Sequence, residues 1–198
     1  MRKILILFAH PRFEHSVINK ELTEAARRVP AVTFHDLYQS YPDFYIDTQY
    51  EHRLLIEHDV IVWHHPFYWY SCPPLLKQWI DIVLEYNWAY GQKGNYLKGK
   101  YIFNTITTGG AGEAYQKEGK NRFTVRELLS PFEQTATLCK MEYLPPFAVQ
   151  GTHRIQAEEI KRHAAAYEDL LTFISNDDND LSVLKENPVI NNSFNKAL

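Results

Sequence analysis

KILILFAHPRFEHSVIN, residues 3–19, is the stretch on which the reading of the fold turns. Lys3–Ala9 is apolar without alternation, the pattern of a strand buried on both faces of a parallel sheet. Ser16 then stands as a helix N-cap, and Ile18, Leu22, Ala25, Ala26 and Val29 fall on one helical face. A buried strand, a short loop and an amphipathic helix make the opening half of a βα unit. The basic start followed by apolar residues could suggest a signal peptide. Its apolar part runs only from Ile4 to Ala9, and no small-residue cleavage pattern follows, so it reads as a strand.

The same alternation continues outward. Val32–Leu37 reads as a second strand, Asp47–Glu57 as a weaker helix, and Asp59–His65 as a third strand. Pro73 and Pro74 open a helix, where a missing N–H costs nothing, and Leu75, Leu76, Trp79, Ile80, Val83 and Leu84 form its stripe. Lys100–Thr107 is a fourth strand. Phe123–Leu138 has helical tendency, with Pro131 required to start or kink a helix. Glu142–Val149 is a fifth strand interrupted by Pro145 and Pro146, and Gln156–Ile174 is a final helix. Strands alternating with helices predict a doubly wound α/β domain with a five-stranded parallel sheet over residues 1–175. The segment 176–198 is rich in Asn and Asp and is expected to be a loosely ordered tail.

Composition narrows the class. The 198 residues are 45% hydrophobic and 23% charged, with a net charge of −3 and no Lys/Arg cluster, which argues against nucleic-acid binding. Two cysteines, Cys72 and Cys139, form no CxxC pair and suggest a reducing compartment. Cys72 lies near a helix start, where a thiolate is favoured, although packing is the simpler role. No run approaches membrane-spanning length, and the expectation is a soluble, cytoplasmic protein. His64 and His65 are adjacent on a strand and point to opposite faces, which disfavours a metal pair.

In open α/β sheets ligands bind beyond the carboxyl ends of the strands, where strand order reverses. Three segments leave the strands at that edge. His10–Asn19 enters a helix whose free N–H groups and dipole suit phosphate, or it is an ordinary capped loop. Pro66-Phe67-Tyr68-Trp69-Tyr70-Ser71 offers flat rings for a planar heterocycle, or serves core or dimer packing. Thr107-Thr108-Gly109-Gly110-Ala111-Gly112 lets backbone approach a ligand closely, or is a tight turn. None is the G-x-G-x-x-G dinucleotide fingerprint, which would follow strand one.

At these residues the chain resembles the flavodoxin-fold NAD(P)H:quinone reductases, the DT-diaphorase family. The shared pattern is Ala9-His10-Pro11 with Ser16 and Asn19, then His65–Tyr70, Pro73-Pro74-Leu75-Leu76-Lys77, Trp88-Ala89-Tyr90-Gly91 and Thr107-Thr108-Gly109-Gly110. Leu37-Tyr38, Tyr41-Pro42-Asp43-Phe44 and Leu144-Pro145-Pro146-Phe147 are similar to bacterial members that serve as ancillary subunits of glutathione-gated potassium efflux systems.

The resemblance implies a flavodoxin-like three-layer sandwich with strand order 2-1-3-4-5 and helices on both faces. It also implies bound FMN, a homodimer, and hydride transfer from NADPH or NADH to FMN and then to a quinone in two separate steps. By position, His10, Ser16, Val17, Ile18 and Asn19 would hold phosphate and ribityl, and Phe67, Tyr68, Trp69 and Tyr70 would contact the ring system. Thr107, Thr108, Gly109 and Gly110 would bind the flavin edge. Tyr115 matches the tyrosine that stabilises charge on the flavin, and its usual histidine partner is here Asn121, which cannot carry a proton as imidazole does. The alternative is an FMN-binding regulatory subunit with little or no catalysis, peripheral at the inner face of a membrane. An electron-transfer flavodoxin is disfavoured, since such carriers are more acidic than −3.

Overall fold

The computed structural model describes residues 1–191. Its strands are β1 (Ile4–Phe8), β2 (Val32–Asp36), β3 (Val60–Pro66), β4 (Tyr101–Thr107), β5 (Glu142–Tyr143) and β6 (Phe147–Val149). The helices are α1 (Val17–Arg27), α2 (Leu37–Ser40), α3 (Thr48–Glu57), α4 (Pro74–Val83), α5 (Val125–Leu128), α6 (Ser130–Leu138) and α7 (Ala157–Ser175). All strand pairs are parallel and the order is β2-β1-β3-β4-β5, with β6 also paired to β4. The anticipated fifth strand is thus two short pieces along one edge. Pro145 and Pro146 separate them, because neither can donate to the ladder.

β1 is buried throughout and feeds both layers. Ile4, Ile6 and Phe8 pack with Ile18, Leu22 and Ala26 of α1 and with Tyr167, Leu170 and Leu171 of α7. Leu5 and Leu7 face the other way, toward Leu55 of α3, Leu75 and Trp79 of α4, and Phe132 of α6. This two-sided burial is why the sequence shows no alternation there. Helix starts follow local chemistry. Asp47 caps α3 through Tyr50 N, Thr124 and Glu127 form a capping box on α5, and Pro131 falls in the first turn of α6.

One charged residue lies inside the second layer. Glu51 of α3 is fully buried and accepts hydrogen bonds from His35 Nε2 at 2.7 Å, Tyr41 OH at 2.5 Å and Trp79 Nε1 at 2.7 Å. Three donors from separate elements compensate the lost hydration of the carboxylate. The Tyr41 hydroxyl is held far above its ordinary range, by burial first and then by its bond to Glu51.

Two expectations need correction. The segment after α7 is ordered at least to Asn191: Leu181, Leu184 and Ile190 are buried in the α1–α7 core. Ile190 N donates to Pro146 O at 3.0 Å, and Asn191 Oδ1 accepts from Ala148 N at 2.8 Å, so this strap pairs with the edge strand β6. The remainder of the expected tail, 192–198, lies outside the described residues. Cys72 has no favoured thiolate, since burial pushes its thiol up to about 11. Trp88 is occupied within the chain, stacked on His52 at 3.5 Å and beside Tyr96 at 5.3 Å. Among the described residues no helix is long and apolar enough to cross a membrane.

Candidate functional site

A cleft of about 790 Å³ opens at the carboxyl ends of β1, β3 and β4, a size suited to a small-molecule or cofactor site. His10, Ser16, Val17, Ile18 and Asn19 line it from the first loop, Phe67 and Tyr68 from the second, and Thr107 and Gly109 from the third. Of the other expected residues, Thr108 and Gly110 belong to the same glycine loop, and Tyr115 packs under it. A Cβ on Gly110 would stand 3.2 Å from Tyr115 Cε2. Trp69 and Tyr70 are exposed rather than lining the cleft, Trp69 at 92%. Both have left-handed backbone, with φ of 50° and 61°, a strained choice for bulky residues and a mark of a constrained loop. Asn121 meets Tyr70, whose hydroxyl donates to Asn121 Oδ1 at 3.2 Å. The Tyr115 hydroxyl lies instead beside the Thr108 side chain, and burial raises its pKa, keeping it protonated.

The first loop is organised by Asn19. Its Nδ2 donates to Ser16 Oγ at 2.9 Å and to Thr107 Oγ1 at 3.2 Å, while its Oδ1 pairs with His64 Nε2 at 3.0 Å. Ser16 Oγ also accepts from Asn19 N at 3.3 Å, closing the cap of α1. With two donors on its oxygen, the Ser16 hydroxyl is left to donate its own proton into the cleft. The N–H groups of Val17 and Ile18 at the head of α1 have no intrahelical acceptor. His10 Nδ1 accepts from Arg12 N at 3.2 Å, and burial pulls the imidazole down to about 4, so its proton resides on Nε2 as a further donor. Donors from a hydroxyl, a helix start and a neutral imidazole form an anion cradle.

His64 and His65 support the site from opposite faces of β3. His64 lies against Phe8 and Tyr167, and burial pulls it down to about 3. It therefore presents Nε2–H to Asn19. His65, pulled down to about 4 by burial, donates from Nδ1 to Pro66 O at 3.0 Å and accepts from Asn104 Nδ2 at 3.0 Å. Tyr143 OH donates to Asn104 Oδ1 at 2.7 Å, completing a buried chain that fixes the end of β3 where the aromatic loop begins.

The structure adds a wall that the sequence did not disclose. Thr152, His153, Ile155 and Ile160, from the turn after β6 and the start of α7, also line the cleft. They reach it because β6 lies beside β4, as the order 2-1-3-4-5 implied for the end of the fifth strand, but the turn that follows carries no distinctive local pattern. A methyl group on Gly109 would collide with the His153 ring, which accounts for the glycine there.

A parallel sheet of this order with a cleft at its reversal point defines the class. The chain belongs to the flavodoxin-like fold family, whose model matches residues 2–171. More particularly, it is 48% identical over 165 residues to the glutathione-regulated potassium-efflux system ancillary protein KefG of Pectobacterium carotovorum, covering 83% of this chain and 90% of that protein. The KefG protein of Serratia proteamaculans is likewise 48% identical, over 85% of this chain and 92% of its own length. Among solved structures, general stress protein 14 of Treponema denticola in complex with FMN is 42% identical with a TM-score of 0.82, covering 85% of this chain and 97% of that one. An NADPH-quinone reductase from P. pentosaceus is 32% identical with a TM-score of 0.79, covering 89% and 99%.

Proposed function

We propose that the cleft holds FMN and that the chain is an FMN-dependent NAD(P)H:quinone oxidoreductase. The observation that carries this reading is the Ser16–Asn19 cradle at the head of α1, a built anion site beside an aromatic loop and a glycine loop. The Ser16 hydroxyl, the amides of Val17 and Ile18, and His10 Nε2–H would hold the phosphate, with Asn19 fixing the hydroxyl. Phe67 and Tyr68 would contact the ring system, and Thr107, Thr108, Gly109 and Gly110 its edge, while Trp69 and Tyr70, which stand outside the cleft lining, would meet the ring only at the rim. FMN held there would supply two-electron hydride chemistry, between NADPH or NADH as donor and a quinone as acceptor, and the open cleft would admit the two substrates in turn. Tyr115, kept protonated by burial and packed beside Gly110, would donate toward charge that develops at the Gly109–Gly110 side. Asn121 holds Tyr70 at the rim rather than relaying a proton.

The 48% identity to KefG proteins favours a second role that can coexist with the first: a regulatory subunit docking on a membrane potassium-efflux protein. The chain then works in the cytoplasm, peripherally at the inner face of the membrane. Exposed Trp69, Tyr70 and Phe123 offer apolar surface for a second copy, and a homodimer is the expected assembly. The deciding experiment is the visible spectrum of the purified or FMN-reconstituted protein, followed by anaerobic addition of NADPH. A flavin spectrum that bleaches supports the enzyme. A flavin that neither NADPH nor NADH bleaches leaves the regulatory binder, and a protein that stays colourless rejects both.

A further inference from the structure

We propose that His153 is a ligand-contacting residue of the cleft, an imidazole that hydrogen-bonds the bound flavin nucleotide; this rests on the FMN reading above. Its position is fixed by backbone. Gly151 N donates to Gly110 O at 2.8 Å, Thr152 N to Thr108 O at 3.0 Å and Arg154 N to Gly151 O at 2.9 Å, so the turn carrying His153 is bolted to the glycine loop. The ring then packs against Gly109, with no room for a side chain between them.

Its chemistry differs from that of the imidazoles around it. His64 and His65 are buried: His64 commits Nε2 to Asn19 and keeps Nδ1 away from the cleft among core rings, and His65 spends both nitrogens on Pro66 and Asn104. His10 gives one nitrogen to Arg12 N. His153 lines the cleft, is exposed, and has no side-chain hydrogen bond among the described residues. An imidazole carries at least one N–H donor in either protonation state. A flavin nucleotide is rich in acceptors: phosphate oxygens, ribityl hydroxyls and ring carbonyls. A side chain with uncommitted nitrogens on an anchored turn beside such a cleft needs no backbone rearrangement to bond that ligand.

The test is FMN titration of the apo-protein by flavin fluorescence quenching, with wild type, His153→Ala and His153→Gln, together with imidazole ¹⁵N shifts of the wild type as FMN is added. His153 is exposed, so neither substitution removes core contacts. His153→Ala is expected to weaken binding about 10-fold, the scale of one hydrogen bond to a charged or strongly polar group. His153→Gln, which keeps a donor, is expected to recover most of it, and the His153 ring resonances should move at saturation. Wild-type affinity in His153→Ala overturns the assignment. A Gln variant as weak as Ala also overturns it, by showing that shape rather than hydrogen bonding is at issue. Wild-type protein that takes up no FMN overturns the FMN reading itself, an outcome distinct from either.

Discussion

Asn19 decides where the Ser16 proton points: its Nδ2 occupies one lone pair of Ser16 Oγ at 2.9 Å, its N–H the other at 3.3 Å. The hydroxyl hydrogen is thereby committed to the cleft before any ligand arrives. His64 stands behind the pair and holds the amide in its orientation.

Asn19→Ala should therefore act twice. It frees the Ser16 hydroxyl to rotate and leaves His64 Nε2–H buried without an acceptor. The expected outcome is FMN binding weaker by roughly 10- to 100-fold and a stability loss of about 1–3 kcal/mol, the cost of an unsatisfied buried donor. Fluorescence titration and urea denaturation measure the two effects. A stability unchanged from wild type would remove His64 from this account.

Acid should unfold the protein through its buried imidazoles. His10, His64 and His65 have native values near 4, 3 and 4, below the ordinary 6.5. The native state favours their neutral forms. Their contribution is complete above pH 6.5 and is lost as pH falls from there toward about 4 for His10 and His65 and about 3 for His64, because the unfolded chain takes up the protons. Each group adds a slope of about 1.4 kcal/mol per pH unit across that window. Urea midpoints at pH 7, 6 and 5 should fall in order, and His64→Gln should shallow the dependence by one proton. Equal slopes for the variant and wild type would sink the assignment to His64.

Tyr115→Phe should retain FMN and slow its reduction by NADPH roughly 10-fold, about 1.4 kcal/mol of lost stabilisation. Anaerobic stopped-flow absorbance gives the rate. A variant as fast as wild type means the hydroxyl contributes nothing to the transfer. Asn121→His is expected to introduce a pH dependence near the histidine range. Since Asn121 meets Tyr70, any such limb should disappear in Asn121→His combined with Tyr70→Phe.

Truncation after Asn179 should cost much of the protein's stability. It removes Leu181, Leu184 and Ile190 from the core and the Asn191 bond from β6. At roughly 1.5–3 kcal/mol for each of the three buried side chains, about 4.5 kcal/mol or more is at stake. Thermal melting followed by circular dichroism reads it, and an unchanged midpoint contradicts the packing of the strap.

The layered architecture was legible because each central strand is apolar on both faces, as in Ile4–Phe8 and Val60–Trp63, and because Ser16, Asp47 and Pro74 mark helix starts with local chemistry. What was missed depends on partners distant in sequence. Glu51 reads as one more polar position on a weak helix, and only the fold brings His35, Tyr41 and Trp79 around it. Leu181, Leu184 and Ile190 are too thinly spread among polar residues to signal a buried segment. The cleft's fourth wall at Thr152 and His153 rests on backbone bonds from Gly151 and Thr152 to the glycine loop about forty residues earlier, which no local pattern shows. The cradle residues were visible one by one, but the hydrogen-bond order that makes Ser16 a donor arises only where the fold sets Asn19 between Ser16, Thr107 and His64.

The strap also has a bearing on the timing of synthesis. β1, the cradle and the aromatic loop are translated early, yet the edge they depend on is closed by Ile190 and Asn191. The turn that carries His153 to the glycine loop continues directly from that edge. On the ribosome, the nascent chain therefore holds an unfinished cleft with an open strand until residue 191 has emerged, and completion of the cleft belongs to the last stage of its biogenesis.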